Sequence, residues 1–182
     1  MSKMMALRFT EVVVTDGPQP TSMDASGVVT LAFADRRRSR MRIQLDDGRE
    51  AALMLPRGTI LHDGDRLRDP ESNAVISVRA ADQTLSFVHA AGAVALARAA
   101  YHLGNRHIPV QVGAGWLAYE HDHVLDEMVQ ELGLAVEARV APFEPEAGGY
   151  RHGAASGDSH GRAHGHEHEH EHHERHEHHH EH

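Results

Sequence analysis

The chain has 182 residues, 27 acidic against 18 basic, 19 histidines and no cysteine, for a formal net charge of −9. That length allows one or two small domains with a buried core, and the acidic balance argues against general nucleic-acid binding. Without cysteine there can be no disulfide and no thiolate metal site, so any metal must be held by His, Asp, Glu or backbone oxygen.

The N-terminal "MSKMMALRFTEVV" shows neither a long apolar stretch nor a small-residue cleavage pattern, so no signal peptide is expected. No run approaches 18 apolar residues, so no membrane span is expected, and the default expectation is a cytoplasmic location. Residues 1–27 read as an extension with no clear place. Next, "MRIQLDDGREAALML" alternates Met41, Ile43 and Leu45, turns at Asp47-Gly48, then runs Ala51, Leu53, Leu55: a β-hairpin signal. "PRGTILHDGDRL" and "RDPESNAVISVRA" add a further Gly/Asp turn and a further strand. Residues 1–80 therefore read as a small N-terminal β domain. The basic run from Asp35 to Arg42 reads as solvated strand residues in preference to a docking surface for an acidic partner.

From residue 81 the pattern changes. "TLSFVHA" predicts a strand, and Ala-rich "AGAVALARAAYHL" a helix ended by Gly104 near the left-handed cap position. "HIPVQV" predicts a short strand whose Pro109 points to a sheet edge. "GAG" turns the chain into "WLAYE", with Val112 expected opposite Trp116. In "DHVLDEMVQELGL", Asp122 is a plausible N-cap; Leu125, Met128, Val129 and Leu132 share one helical face, and Gly133 ends it. "LAVEARV" predicts the last strand. The order β-α-β-β-α-β over residues 81–150 is the ferredoxin-like arrangement, so the fold class expected is α+β.

Residues 151–182 are Gly, Ser, His and Glu with almost nothing apolar. Such a tail cannot bury enough surface to offset its conformational entropy and reads as disordered. It holds His152, His160, His164, His166, His168, His170, His172, His173, His176, His178, His179, His180 and His182. Its longest His run is three, interleaved with glutamates, unlike the uninterrupted run of a purification tag. Imidazole is a strong ligand for borderline divalent ions, and adjacent carboxylates attract them. The tail is expected to bind several ions weakly and to release them as histidine protonates near pH ~6.

Elsewhere lie His62, His89, His102, His107, His121 and His123. His62 reads as a polar turn residue, His89 is ambiguous, and His102 suits a helix end. His121 and His123 flank Asp122 at a helix N-terminus, whose partial positive charge keeps imidazole neutral and ligand-competent. His107 counts back across the expected hairpin to lie opposite His121, though a slip of one residue would separate the rings. One His107 is a poor site, and a two-fold dimer would supply a second copy. A metal-dependent hydrolase built on "HDH" would need more fixed ligands and a general base than the sequence supplies. A protein that stores or buffers Ni, Zn or Cu would fit the tail equally well.

"YHLGNRHIPVQV", "DHVLDEMVQELGL", "PFEPEAGGY" and "LDDGREAALMLPRG" closely resemble the UreE family, the nickel metallochaperones among urease accessory proteins. The resemblance spans roughly residues 28–150. It implies a peptide-binding-like N-terminal β domain, a ferredoxin-like metal-binding domain and a homodimer whose two His107 share an ion. It implies a secondary site at His121 and His123 and a tail that collects nickel. Ni²⁺ would pass to the urease apoprotein within a complex that includes a GTPase, with Cu²⁺, Zn²⁺ and Co²⁺ competing as ligands allow. It also treats His107 and His121 as separate sites, against the pairing counted from the hairpin.

Overall fold

The computed structural model describes residues 7–13 and 26–147. The chain begins with β1 (Leu7–Phe9), β2 (Glu11–Val13), β3 (Val28–Leu31), the short helix α1 (Phe33–Arg36), β4 (Arg40–Gln44), β5 (Glu50–Met54), β6 (Arg66–Arg68) and β7 (Val75–Ala80). These strands form two sheets, ordered β1-β5-β4 and β2-β6-β7-β3. The expected hairpin is present: Arg40 pairs with Met54 and Gln44 with Glu50, and Gly48 takes φ 89° in the turn. Its alternation sends Ile43, Leu45, Ala51, Leu53 and Leu55 inward, where they meet Phe9, Val29, Leu61, Leu67, Ile76 and Val78. Each buried Val, Leu, Ile or Phe among them contributes about 1.5–3 kcal/mol of transfer free energy, and together with Ala51 they form the N-terminal core.

Residues 7–13, within the stretch that the sequence alone does not place, contribute to both sheets. Leu7–Phe9 pairs in parallel with β5, Glu11–Val13 pairs antiparallel with β6, and Phe9 is fully buried. One short segment therefore contributes a strand to each sheet. Its three-residue strands are too brief to show a period in the sequence.

The second part runs β8 (Asp82–His89), α2 (Ala93–Gly104), β9 (Gln111–Gly113), β10 (Trp116–Glu120), α3 (His123–Glu131) and β11 (Ala135–Pro142). Its sheet has the order β11-β8-β10-β9 with every pairing antiparallel. This is the ferredoxin-like topology, so the whole is an α+β protein with a β N-terminal domain. Both helices pack on one sheet face: Ala99 and Leu103 from α2 and Val129 from α3 bury against Val88, Leu117 and Tyr119.

The opposite face meets α1. Phe33 packs with Leu85, Ala118 and Phe143, its ring edge-on to Phe143 at 5.5 Å. Arg36 is fully buried there, bonded to the carbonyls of Leu61 and Phe143 and to the Glu144 carboxylate. The basic run is thus neither uniformly solvated nor a docking surface at this position. A four-residue helix turns one of its arginines inward as a clip between the β domain and the segment after β11.

The β9–β10 hairpin differs by one residue from expectation. Gly113, rather than Val112, pairs with Trp116, and Ala114-Gly115 makes the turn with Gly115 at φ 82°. The side-chain-free Gly113 is required because a Cβ there would lie 2.1 Å from the Trp116 indole.

Candidate metal centre

His107 owes its position to the way α2 ends. The N–H of His107 donates to the Gly104 carbonyl at 2.9 Å, and that of Ile108 reaches back to Leu103 at 3.1 Å. This pair of bonds is the Schellman cap, and it places His107 at C′, with φ 57°. The left-handed residue is His107; Gly104, expected in that role, is still helical. Ile108 and Leu103 join the same apolar cluster, which completes the cap. The end of α3 shows the same bonding with Gly133 at φ 83°. Glycine is the ordinary occupant of such a site; an L-residue there is strained by roughly 1–2 kcal/mol. An exposed imidazole therefore stands where local energetics favour no side chain.

His107 lines a cleft of about 540 Å³ together with Phe33, Ile60, His62, Val110 and Pro145. The strap after β11 forms one wall: the Glu146 N–H donates to the Val110 carbonyl at 2.8 Å, and the Glu144 N–H to the Gln111 side chain at 2.9 Å. Glu144 in turn accepts from the Asp63 N–H at 3.1 Å and lies 3.2 Å from His62 Nδ1. His62, read as a plain turn residue, thus belongs to the rim of the same cleft. Its only sequence signal was its place in "LHDGD", which gives no hint of a partner 82 residues away.

His121 and His123 arise differently. Asp122 is extended, φ −147° and ψ 121°, and its carboxylate caps α3 by accepting from Val124 N at 2.8 Å and Leu125 N at 3.2 Å. His121 ends the strand side of this junction and His123 opens the helix; both are exposed. His121 Nδ1 lies 3.0 Å from Ser86 Oγ and 3.1 Å from Asp126 Oδ2. Tyr119 donates its hydroxyl to the other Asp126 oxygen at 2.8 Å. Burial and the Asp126 carboxylate beside it push the Tyr119 phenol far above its ordinary pKa, so it remains a donor throughout the physiological range.

The structure does not pair His107 with His121. Extending the observed hairpin register would set residue 107 opposite 122, and β9 begins only at Gln111, after the left-handed bend. Among the described residues no group of three or more His, Asp or Glu side chains is placed to hold an ion. His89 and His102 contact aromatic rings, Phe87 at 6.3 Å and Tyr101 at 5.4 Å between centroids. The tail histidines His152, His160, His164, His166, His168, His170, His172, His173, His176, His178, His179, His180 and His182 lie outside the described residues, as does the expected disorder of that segment.

A β-rich N-terminal part followed by a ferredoxin-like part, with solvent-facing imidazoles at two helix ends and no thiol, defines an α+β protein whose donors suit a borderline divalent ion. Two family models match: the UreE urease accessory protein N-terminal domain over residues 13–81 and its C-terminal domain over residues 83–182. The chain is 54% identical to the urease accessory protein UreE of Pseudomonas putida over 133 residues, 73% of this chain and 80% of that protein. It is 51% identical to that of Alkalilimnicola ehrlichii, over 72% of this chain and 80% of the relative. The corresponding figure for Escherichia coli O157:H7 is 48%, over 71% and 84%. The chain belongs to the UreE family of urease accessory proteins. Among the described residues no helix is long and apolar enough to cross a membrane.

Proposed function

We propose that the protein is a non-enzymatic carrier that captures Ni²⁺ and delivers it to the urease apoprotein during assembly of the urease active site. The observation that carries this reading is His107: an exposed imidazole kept in a left-handed cap position, at the end of an apolar helix face. Strain of that kind persists where function requires it. The face consists of Val94, Ala97 and Tyr101 at helical spacing, with Val112 beside it; Val94 is 75% and Tyr101 65% exposed. Apolar exposure on that scale favours a partner surface. A second copy of the chain docked there by two-fold symmetry brings a second His107 to the first, and the pair shares one ion.

His121 and His123 supply a secondary site, and the tail histidines gather ions at low affinity. Imidazole and carboxylate donors without thiolate fit Ni²⁺. Cu²⁺ should bind such ligands more tightly, with Zn²⁺ and Co²⁺ also competing, so selectivity comes from availability and from docking with urease and its other accessory proteins, a GTPase among them. The mechanism is ligand exchange: exposed imidazoles hold the ion firmly enough to capture it and leave it accessible to the recipient's ligands.

The test is Ni²⁺ transfer to apo-urease. The full chain preloaded with Ni²⁺ should restore urease activity, and His107→Ala should lose most of that transfer. Equal transfer by both would refute the role of His107.

A further inference from the structure

We infer that Asp126 is a positioning residue: it fixes the His121 ring so that Nε2 is the nitrogen offered to a divalent ion. The inference deepens the proposed secondary site and rests on His121 being a ligand there.

Asp126 Oδ2 lies 3.1 Å from Nδ1, and a bare Nδ1 would set its lone pair against a carboxylate oxygen, so the contact favours the ring proton on Nδ1. The hydrogen bond at this nitrogen is to Ser86 Oγ at 3.0 Å, and with the proton on Nδ1 the hydroxyl oxygen accepts it. Nε2 is then the unprotonated nitrogen, with the lone pair a metal needs. Burial supports the arrangement. Ser86 and Tyr119 are fully buried, and the Asp126 side chain is 15% exposed against 43% for His121. The network is thus anchored in the core and ends at a solvent-facing ring.

Each anchor has its own support. Tyr119 lies in β10, held between β8 and β9, and its hydroxyl fixes Asp126 Oδ1 at 2.8 Å. Asp126 lies in the first turn of α3, whose start is set by the Asp122 cap. Helix and strand therefore hold the two oxygens of one carboxylate in different tasks. Such carboxylate–imidazole contacts fix the tautomer and orientation of a ligating histidine, and their loss typically weakens metal binding roughly 10–100-fold.

The test uses the full chain with ¹⁵N-labelled histidine, so that each ring reports separately, and Zn²⁺ as a diamagnetic probe. In the metal-free protein His121 should show the Nδ1–H form with Nε2 unprotonated. Asp126→Asn turns an amide N–H₂ toward Nδ1, because Tyr119 still claims the oxygen. His121 should then shift to the Nε2–H form. The zinc concentration that moves its signals should rise roughly 10–100-fold, while the His107 signals move as before. Tyr119→Phe, which frees the carboxylate without changing its charge, should weaken zinc binding at His121 by a smaller factor.

An Nε2–H form in the unsubstituted protein overturns the inference, whatever the variants do. So does an unchanged zinc midpoint at His121 in Asp126→Asn. A His121 ring that holds the expected tautomer yet ignores zinc overturns the ligand reading itself, and this inference falls with it.

Discussion

The Arg36 guanidinium, without solvent exposure, is bonded to the Glu144 carboxylate 108 residues further along the chain. The same group meets the Phe143 and Leu61 carbonyls, so one side chain ties α1 to the strap that walls the His107 cleft. Replacing Arg36 with Ala strands two buried carbonyls and part of a carboxylate, and should destabilise the protein by about 3 kcal/mol. Arg36→Met restores volume but no donor and should recover little of this. Arg36→Lys, a single point charge, cannot reach all three acceptors. Urea denaturation of the three variants measures each loss.

His107→Gly relieves a left-handed L-residue, and should stabilise the fold by about 1 kcal/mol, partly offset by the entropy of the unfolded glycine. His107→Ala keeps a Cβ in the same conformation and should leave stability near that of the parent. Both should lose the tightest Ni²⁺ site. Thermal denaturation and Ni²⁺ titration of the pair separate the cost of the backbone from the use of the imidazole.

Asp122→Ala removes the acceptor for Val124 and Leu125 N–H at the start of α3, and should cost about 1 kcal/mol. Asp122→Asn keeps an acceptor oxygen and should cost much less. Denaturation midpoints compared at equal m-value check this.

Asp69 ties Arg8 of β1 to the turn between β6 and β7, accepting from Arg8 N, Glu71 N and Ser72 Oγ. Burial alone would raise its pKa, but these hydrogen bonds outweigh it and hold the carboxyl below its ordinary value. The unfolded chain therefore binds the proton first. Asp69 contributes stability above about pH 4 that is lost as pH falls through its lower folded value. Asp69→Asn should flatten that part of the acid limb in stability measured from pH 6 to pH 3.

Where one periodicity dominated, the sequence was readable. The Asp47-Gly48 hairpin, the Asp122 cap, the apolar face of α3 and its Gly133 stop all follow local rules, and so the ferredoxin-like order emerged. What escaped was non-local. Strands as short as Leu7–Phe9 carry no period, and their partner β5 lies more than forty residues away in sequence. Arg36 resembles its arginine neighbours until a four-residue helix turns it inward. At the end of α2, the preference of glycine for positive φ points to Gly104 as the cap, yet the bonds to Leu103 and Gly104 put His107 there. The chemistry of the candidate site residues is legible in the sequence; their neighbours in space are not. That Asp126 and Ser86 lie against His121 required the register of β8 with β10.

In the proposed carrier His107, rather than the conspicuous tail, forms the defining Ni²⁺ site. Equilibrium Ni²⁺ titration of the full chain beside His107→Ala, with stoichiometry referred to the dimer, tests it most directly. The variant should lose one tight ion per dimer while the weaker, multiple binding persists. A variant that keeps its tightest ion would contradict it.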